Sequence, residues 1–552
     1  MTRLALLFAA LTAASGAQAL DLGATTLSNR SAHIPPQCYT KTTDAAGAVH
    51  NPCQTCHVLP RAPNYTADAD LQTVYAFPAP ARVNPWTNLF ADRRAAIATT
   101  PAAEIDAWVA QDNYRSPTGQ IALAEKLAAL PADWDSDGDG KWAGYVPDIW
   151  FDFDEEGFDR GPDGRESGWR AFAYHPLPGS FWPMSGSTDD VMIRLPEAYR
   201  RAADGTPSRA IYKLNLAITE ALIKRADIAI APTEEAPLGL DLDRDGRLGR
   251  AEKVAFDWDP LAGREMRWVG QAGTLPAAEA PIAAGLYPLG TEFLHSVRYL
   301  SAEAPGQMAP RMKELRYMRK TRWQSYYDRE DAAHADAKER RDFPDRLAQF
   351  FGSAEEGISN GTGWRLQGFI EDAAGDLRPQ SFEETVFCMG CHGGIGATDD
   401  DTFAFPRKLG AEAFRAGWYH WSQRGFDGGA DLIRADGTSE AAHYLRANGG
   451  ADDLGATRAE VAQWLADNAL APAAVQAVGA GGAGLAALIL PDAGRARALD
   501  VAYREVVREQ SFTKGRDAVL APMEESVWRV LEEDQPTGVA APVAGWFARA
   551  AR

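Results

Sequence analysis

Cys53, Cys56 and His57 fall within "NPCQTCHVLP", and Cys388, Cys391 and His392 within "VFCMGCHGG". The chain has five cysteines, so two Cys-x-x-Cys-His triplets take all of them but Cys38. Three kinds of chemistry use thiols this close together. A zinc site needs four ligands, and each triplet offers at most three with no partner pair nearby. A thioredoxin-like redox pair sits at a strand-to-helix junction within a βαβ pattern, and no such pattern flanks either copy. Two thiols on one turn can instead form thioethers to the two vinyl groups of a porphyrin, with the next histidine beneath the iron. Only that reading uses the histidine in both copies, and zinc or disulfide chemistry are its alternatives. It predicts two covalently attached haem c groups and leaves Cys38 as a lone thiol. For the opposite face of each iron, His295, His175 and His420 rank first, because each lies among aromatic or aliphatic neighbours.

A second chemistry lies between the triplets. In "DLDRDGRLGRAE", Asp241, Asp243 and Asp245 alternate, Gly246 follows, Leu248 takes the eighth position and Glu252 the twelfth. This matches the EF-hand calcium loop, with the carbonyl of Arg247 as the position-seven ligand and Glu252 as the bidentate acid. Pro237 just upstream argues against an entering helix. "DWDSDGDGKWAGYVPD" repeats the register with Asp135, Asp137, Asp139 and Gly140. Val146 stands at its twelfth position, so Asp148 is the only nearby acid that could close it. Structural calcium is expected.

The elements that must position these residues are less legible. "AEIDAWVAQDNY", "GQIALAEKLAAL", "GTEFLHSVRYLSAEA", "PRMKELRYMRKTRW", "AAHADAKERRDFPDRLAQFF", "TRAEVAQWLADNA" and "GRARALDVAYREVVREQSF" all carry helical spacing of apolar residues. The fold class expected is therefore mainly α. The boundaries drawn are a signal peptide over 1–19, a first haem domain over 20–130, a loop-rich calcium-binding region over 131–265, a second haem domain over 266–445 and a C-terminal helical region over 446–552. The first nineteen residues have one early charge at Arg3, an apolar run too short to span a bilayer, and Ala17-Gln18-Ala19 at the end. That is a cleaved export signal, which puts the mature chain in the periplasm or otherwise outside the cell. Cys38 lies too far past the cleavage point to carry a lipid. The 56 basic and 76 acidic residues give −20, which argues against nucleic acid or an anionic membrane as partner.

The paired triplets resemble those of dihaem c-type cytochromes and, more loosely, of the bacterial dihaem cytochrome c peroxidase superfamily. The likeness covers only about ten residues, and the two triplets lie much further apart than that family needs. It implies electron transfer with a redox partner protein. A haem oxidoreductase with one open, peroxide-reactive iron is the alternative, and a cell-surface cytochrome a weaker third reading.

Overall fold

The computed structural model describes residues 20–544 except 44–46, 67, 179–181, 304–307, 427–430, 435, 448–458, 469 and 478–483. The expected export signal over 1–19 lies outside the described residues. The fold is mixed α/β rather than mainly α. Ten strands form one antiparallel sheet: β1 (Phe158–Arg160), β2 (Glu166–Phe172), β3 (Thr188–Asp189), β4 (Val191–Arg194), β5 (Glu292–Leu300), β6 (Met308–Lys320), β7 (Phe351–Ser353), β8 (Gly357–Ser359), β9 (Trp364–Glu371) and β10 (Leu377–Pro379). Their order is β7-β8-β9-β6-β5-β4-β2-β1, with β10 added to β9 and β3 to β5.

The two longest strands are the segments whose apolar spacing predicts helices. In β6, Met308, Met312, Leu315 and Met318 recur every three or four residues, as on a helix face. The register of β6 against β5 shifts between Met308 and Met312 and again between Met312 and Glu314. Such a bulge resets which face a residue points to. Met312 and Leu315 thereby join one cluster with Leu294 and Phe369, although strict alternation would separate them. β5 is buried along nearly its whole length, so polar Arg298 sits inside the molecule and His295 is half-buried instead of marking a solvent face.

Helices pack around this sheet. α1 (Arg209–Lys224) is capped by Ser208, whose hydroxyl accepts from the Ile211 amide, and buries Leu216, Ile218 and Leu222. α2 (Tyr326–Asp342) begins with a reciprocal Ser325–Asp328 cap and is mostly exposed. α3 (Glu440–Ala447) and α4 (Ala493–Glu509) follow the second cysteine triplet. The largest apolar cluster runs from Ala32 and Trp86 through α1 to Val527 and Leu531. The ends of the described chain meet there: Thr40 pairs with Val527, Val74 with Pro536, Val83 with Val530 and Leu59 with Ala544.

Candidate functional site

Both cysteine triplets fold as the same tight turn. The amides of Cys56 and His57 donate to the Cys53 carbonyl at 3.2 and 2.9 Å, and those of Cys391 and His392 donate to the Cys388 carbonyl at 3.3 and 3.0 Å. The turns then dock on each other. The Ala397 amide donates to the Cys56 carbonyl at 2.9 Å, and the Asn64 side chain donates to the carbonyls of Ile395 and Thr398 at 3.1 and 3.3 Å. Gly396 makes this contact possible, since a Cβ there would lie 1.7 Å from the Val58 carbonyl oxygen. Burial first, then the neighbouring Cys391 and Cys38, push the Cys56 thiol well above its ordinary pKa. Sequence spacing gives no hint that the two triplets converge. No disulfide joins any two of the five cysteines.

Each motif histidine is held at one ring nitrogen. His57 Nδ1 lies 2.9 Å from Asp68 Oδ2, and His392 Nδ1 lies 2.7 Å from the Asp401 carbonyl oxygen. Burial alone would raise the Asp68 carboxyl, yet the bonds and charges of His57 and Arg340 hold it well below the usual carboxylate range. Asp401 itself is fully buried and paired with Arg329 at 3.1 Å. Orienting partners of this kind fix which nitrogen is left for a metal. Asp68 and Asp401 carry no spacing signal that sequence reading could use.

The three ranked histidines part company. His295 lies on β5, not on a helix, paired in register with Arg316 of β6. Burial, then the Arg316 charge, push it down to about 3, with His392 among its lesser neighbours. Its Nδ1 is 3.8 Å from Asp189 Oδ2. Burial, reinforced by Asp190, raises the Asp189 carboxyl to about 8 despite a bond to Tyr174. His420 is taken at both nitrogens, Nδ1 by Ser422 Oγ at 2.6 Å and Nε2 by Asp190 Oδ2 at 2.7 Å. That leaves it no nitrogen for iron, which corrects its ranking. His175 Nε2 lies 2.9 Å from Asp431 Oδ1.

The two acidic loops share one wiring. Asp241 accepts from the Gly246 amide at 2.9 Å, Asp243 from Asp245 at 3.2 Å and Asp245 from Arg247 at 2.8 Å. In the earlier loop Asp135 accepts from Gly140 at 2.9 Å, Asp137 from Asp139 at 3.1 Å and Asp139 from Lys141 at 2.8 Å. The closing acid comes from outside each loop. Glu235 gathers with Asp241 and Asp243, and Glu355 with Asp135 and Asp137. Both glutamates are buried. Glu235 accepts from the amides of Leu242 and Gly249, and Glu355 from those of Ser136 and Ala143. In each loop these are the second and ninth positions. Glu252, by contrast, is exposed on the short strand Arg250–Val254. Asp148 is spent elsewhere, accepting from Trp169 Nε1 at 2.9 Å and from Arg194 at 2.6 Å.

Comparison with known proteins redirects the functional reading. A family model described as "-like lipoprotein" matches residues 22–472. An "Uncharacterized lipoprotein" of Aquifex aeolicus (strain VF5) is 34% identical over 414 residues, covering 71% of this chain. The chain spans 63% of that relative's length. No solved structure matches. Neither match is to a cytochrome or a peroxidase, so the family likeness drawn from ten residues is corrected. The electron-carrier role, its redox partner and the peroxidase alternative fall with it. Lipoproteins are exported, which agrees with an export signal. Among the described residues no helix is long and apolar enough to cross a membrane. The match to most of its length places this chain in that lipoprotein family.

Proposed function

We propose that this chain is a calcium-braced extracytoplasmic member of its family, with one Ca²⁺ in each acidic loop. The observation that carries this reading is the shared wiring. Only one loop has the full twelve-residue pattern, yet both arrange three aspartates in the same way around a buried glutamate brought from outside. Oxygen-only donors of this kind suit calcium, which accepts six to eight oxygens in flexible geometry. The ion at the first loop would tie residues 135–143 to the turn between β7 and β8, and the ion at the second would tie residues 241–249 to the end of strand Ile228–Glu234. The periplasm is the compartment this reading favours, because calcium is plentiful outside the cytoplasm. The test is calorimetric titration of chelator-stripped protein with Ca²⁺, alongside thermal melts. Two sites are expected, with stabilisation of about 2.7 kcal/mol at a hundredfold excess over each Kd. Glu355→Gln and Glu235→Gln should each remove one site. A melting temperature indifferent to chelator and calcium would end the proposal.

A second reading concerns the cysteine turns. Each pairs two thiols with an imidazole oriented through Nδ1, and this donor set fits a covalently attached haem c at Cys53, Cys56 and His57 and another at Cys388, Cys391 and His392. Bound haem would supply an iron centre. The chain's own contribution is to hold each ring through Asp68 or Asp401 and to seat the two turns against each other. Intact-mass analysis of protein exported in its native host decides it: mass added at both turns supports attachment, whereas all five thiols reacting with maleimide in the unfolded chain would exclude it.

A further inference from the structure

A third group of ligating side chains lies apart from both the cysteine turns and the acidic loops. His175 follows β2, Asp431 precedes α3 and Glu440 opens α3. One ligand atom from each falls within 4.8 Å of the others. His175 is 2% exposed, and the Asp431 and Glu440 side chains are 3% and 10% exposed. The carboxylates are fixed from behind. Asp431 accepts from the amides of Leu432 and Ala441 at 2.8 and 3.0 Å, and Glu440 is gripped by both Arg407 nitrogens at 3.2 and 2.8 Å.

The imidazole presents the decisive geometry. Its Nδ1 is 3.1 Å from the Pro176 carbonyl oxygen. Arg407 Nη2 also approaches Nδ1 at 3.1 Å. Nε2 lies 2.9 Å from Asp431 Oδ1 but out of line for a hydrogen bond, so this buried nitrogen is left without one. A buried imidazole nitrogen without a hydrogen bond, beside two carboxylates, leaves room for a cation to satisfy all three. A ligating histidine held in place through its other ring nitrogen, beside carboxylates that are themselves hydrogen-bonded, is the usual surrounding of a bound metal.

We propose that His175, Asp431 and Glu440 bind one divalent transition-metal ion, of the zinc, manganese or iron(II) class. The imidazole excludes calcium as the natural occupant, since calcium takes oxygen donors, whereas a mixed nitrogen and oxygen set suits first-row metals. The site is therefore chemically distinct from the acidic loops, and the absence of sulfur distinguishes it from the cysteine turns. Arg407 balances one of the two carboxylate charges and keeps Glu440 in place while the ion is absent.

Co²⁺ is the probe. Full-length mature protein is stripped with chelator, returned to saturating Ca²⁺ and titrated with Co²⁺. One equivalent is expected to bind with d–d absorption bands and no thiolate charge-transfer band. Asp431→Asn, which keeps the side-chain shape and its amide contacts, should weaken binding at least tenfold, as should His175→Ala, while Cys391→Ser should leave it unchanged. Anomalous diffraction at the cobalt edge from wild-type crystals should place the ion among the three side chains, which guards against variants that fail to fold. The proposal is overturned if the spectrum carries a charge-transfer band lost in Cys391→Ser. It is equally overturned if anomalous density is missing there.

Discussion

At the scale of single residues, Asp189 and Asp190 show how neighbours in sequence can titrate in opposite senses. Asp190 is buried, but His420, Arg298 and Ser296 hold its carboxyl below the ordinary range. Asp189 faces burial and the Asp190 charge, and rises to about 8. Between roughly pH 4 and 8 the unfolded chain therefore ionises Asp189 while the folded chain keeps it protonated. The native state binds the extra proton, so this group's contribution to stability falls as pH rises through that window. Asp189→Asn should stabilise the fold at pH 8 by roughly 2–4 kcal/mol and change little near pH 4, as read from denaturant melts at both pH values. Equal effects at the two values would show that Asp189 is ionised in the fold. None of this was legible in "STDDVMIR". The triplets and the DxDxDG loops stand out in sequence because their ligands are local. The residues that complete them do not: Glu355 accepts from Ala143 across 212 positions, and the Asp401 oxygen that holds His392 belongs to the backbone.

At the scale of elements, the contact between the two cysteine turns depends on a position without a side chain. Gly396→Ala would place a Cβ against backbone at Val58, which no rotamer change can relieve. It should cost about 1–3 kcal/mol and raise the maleimide reactivity of Cys56 in the folded protein, monitored by labelling under native conditions. Unchanged labelling would mean that the turns are held together elsewhere. Helices were the better-read elements: α4, capped by Asp492, and the short helices Ala102–Val109 and Ala122–Ala128 form where apolar spacing predicts them. β5 and β6 were misread because both faces of the central strands are buried, so period-two alternation disappears, and the bulges in β6 mimic a helical repeat. The loops read as calcium loops closed by Glu252 and Asp148, whereas the acids gathered with their aspartates are Glu235 and Glu355, and Glu355 is brought by the sheet, whose topology no local pattern encodes.

At the scale of the molecule, residues 523–544 form a strap across the segment that carries the first cysteine turn. The Trp528 amide donates to the Tyr39 carbonyl at 2.7 Å, and the Met523 amide to Leu89 at 3.0 Å. Tyr39, Leu89 and Trp86 are each at most 1% exposed. Deleting the chain from residue 523 onward should uncover these side chains at a cost of more than about 3 kcal/mol. The sheet should remain folded, with the loss visible as a separate early transition in calorimetry. A single unshifted transition would show the strap to be dispensable.

That strap also imposes an order in time. A chain threaded outward from its amino end delivers Cys53 and Cys56 well before the residues that pair with Thr40, Leu59 and Val74. Until those later residues emerge, the first turn stands uncovered, open to whatever enzymes act on thiols at the outer face. Their arrival then closes the window, so chemistry at the first turn has a deadline set by the stretch of chain between that turn and the strap.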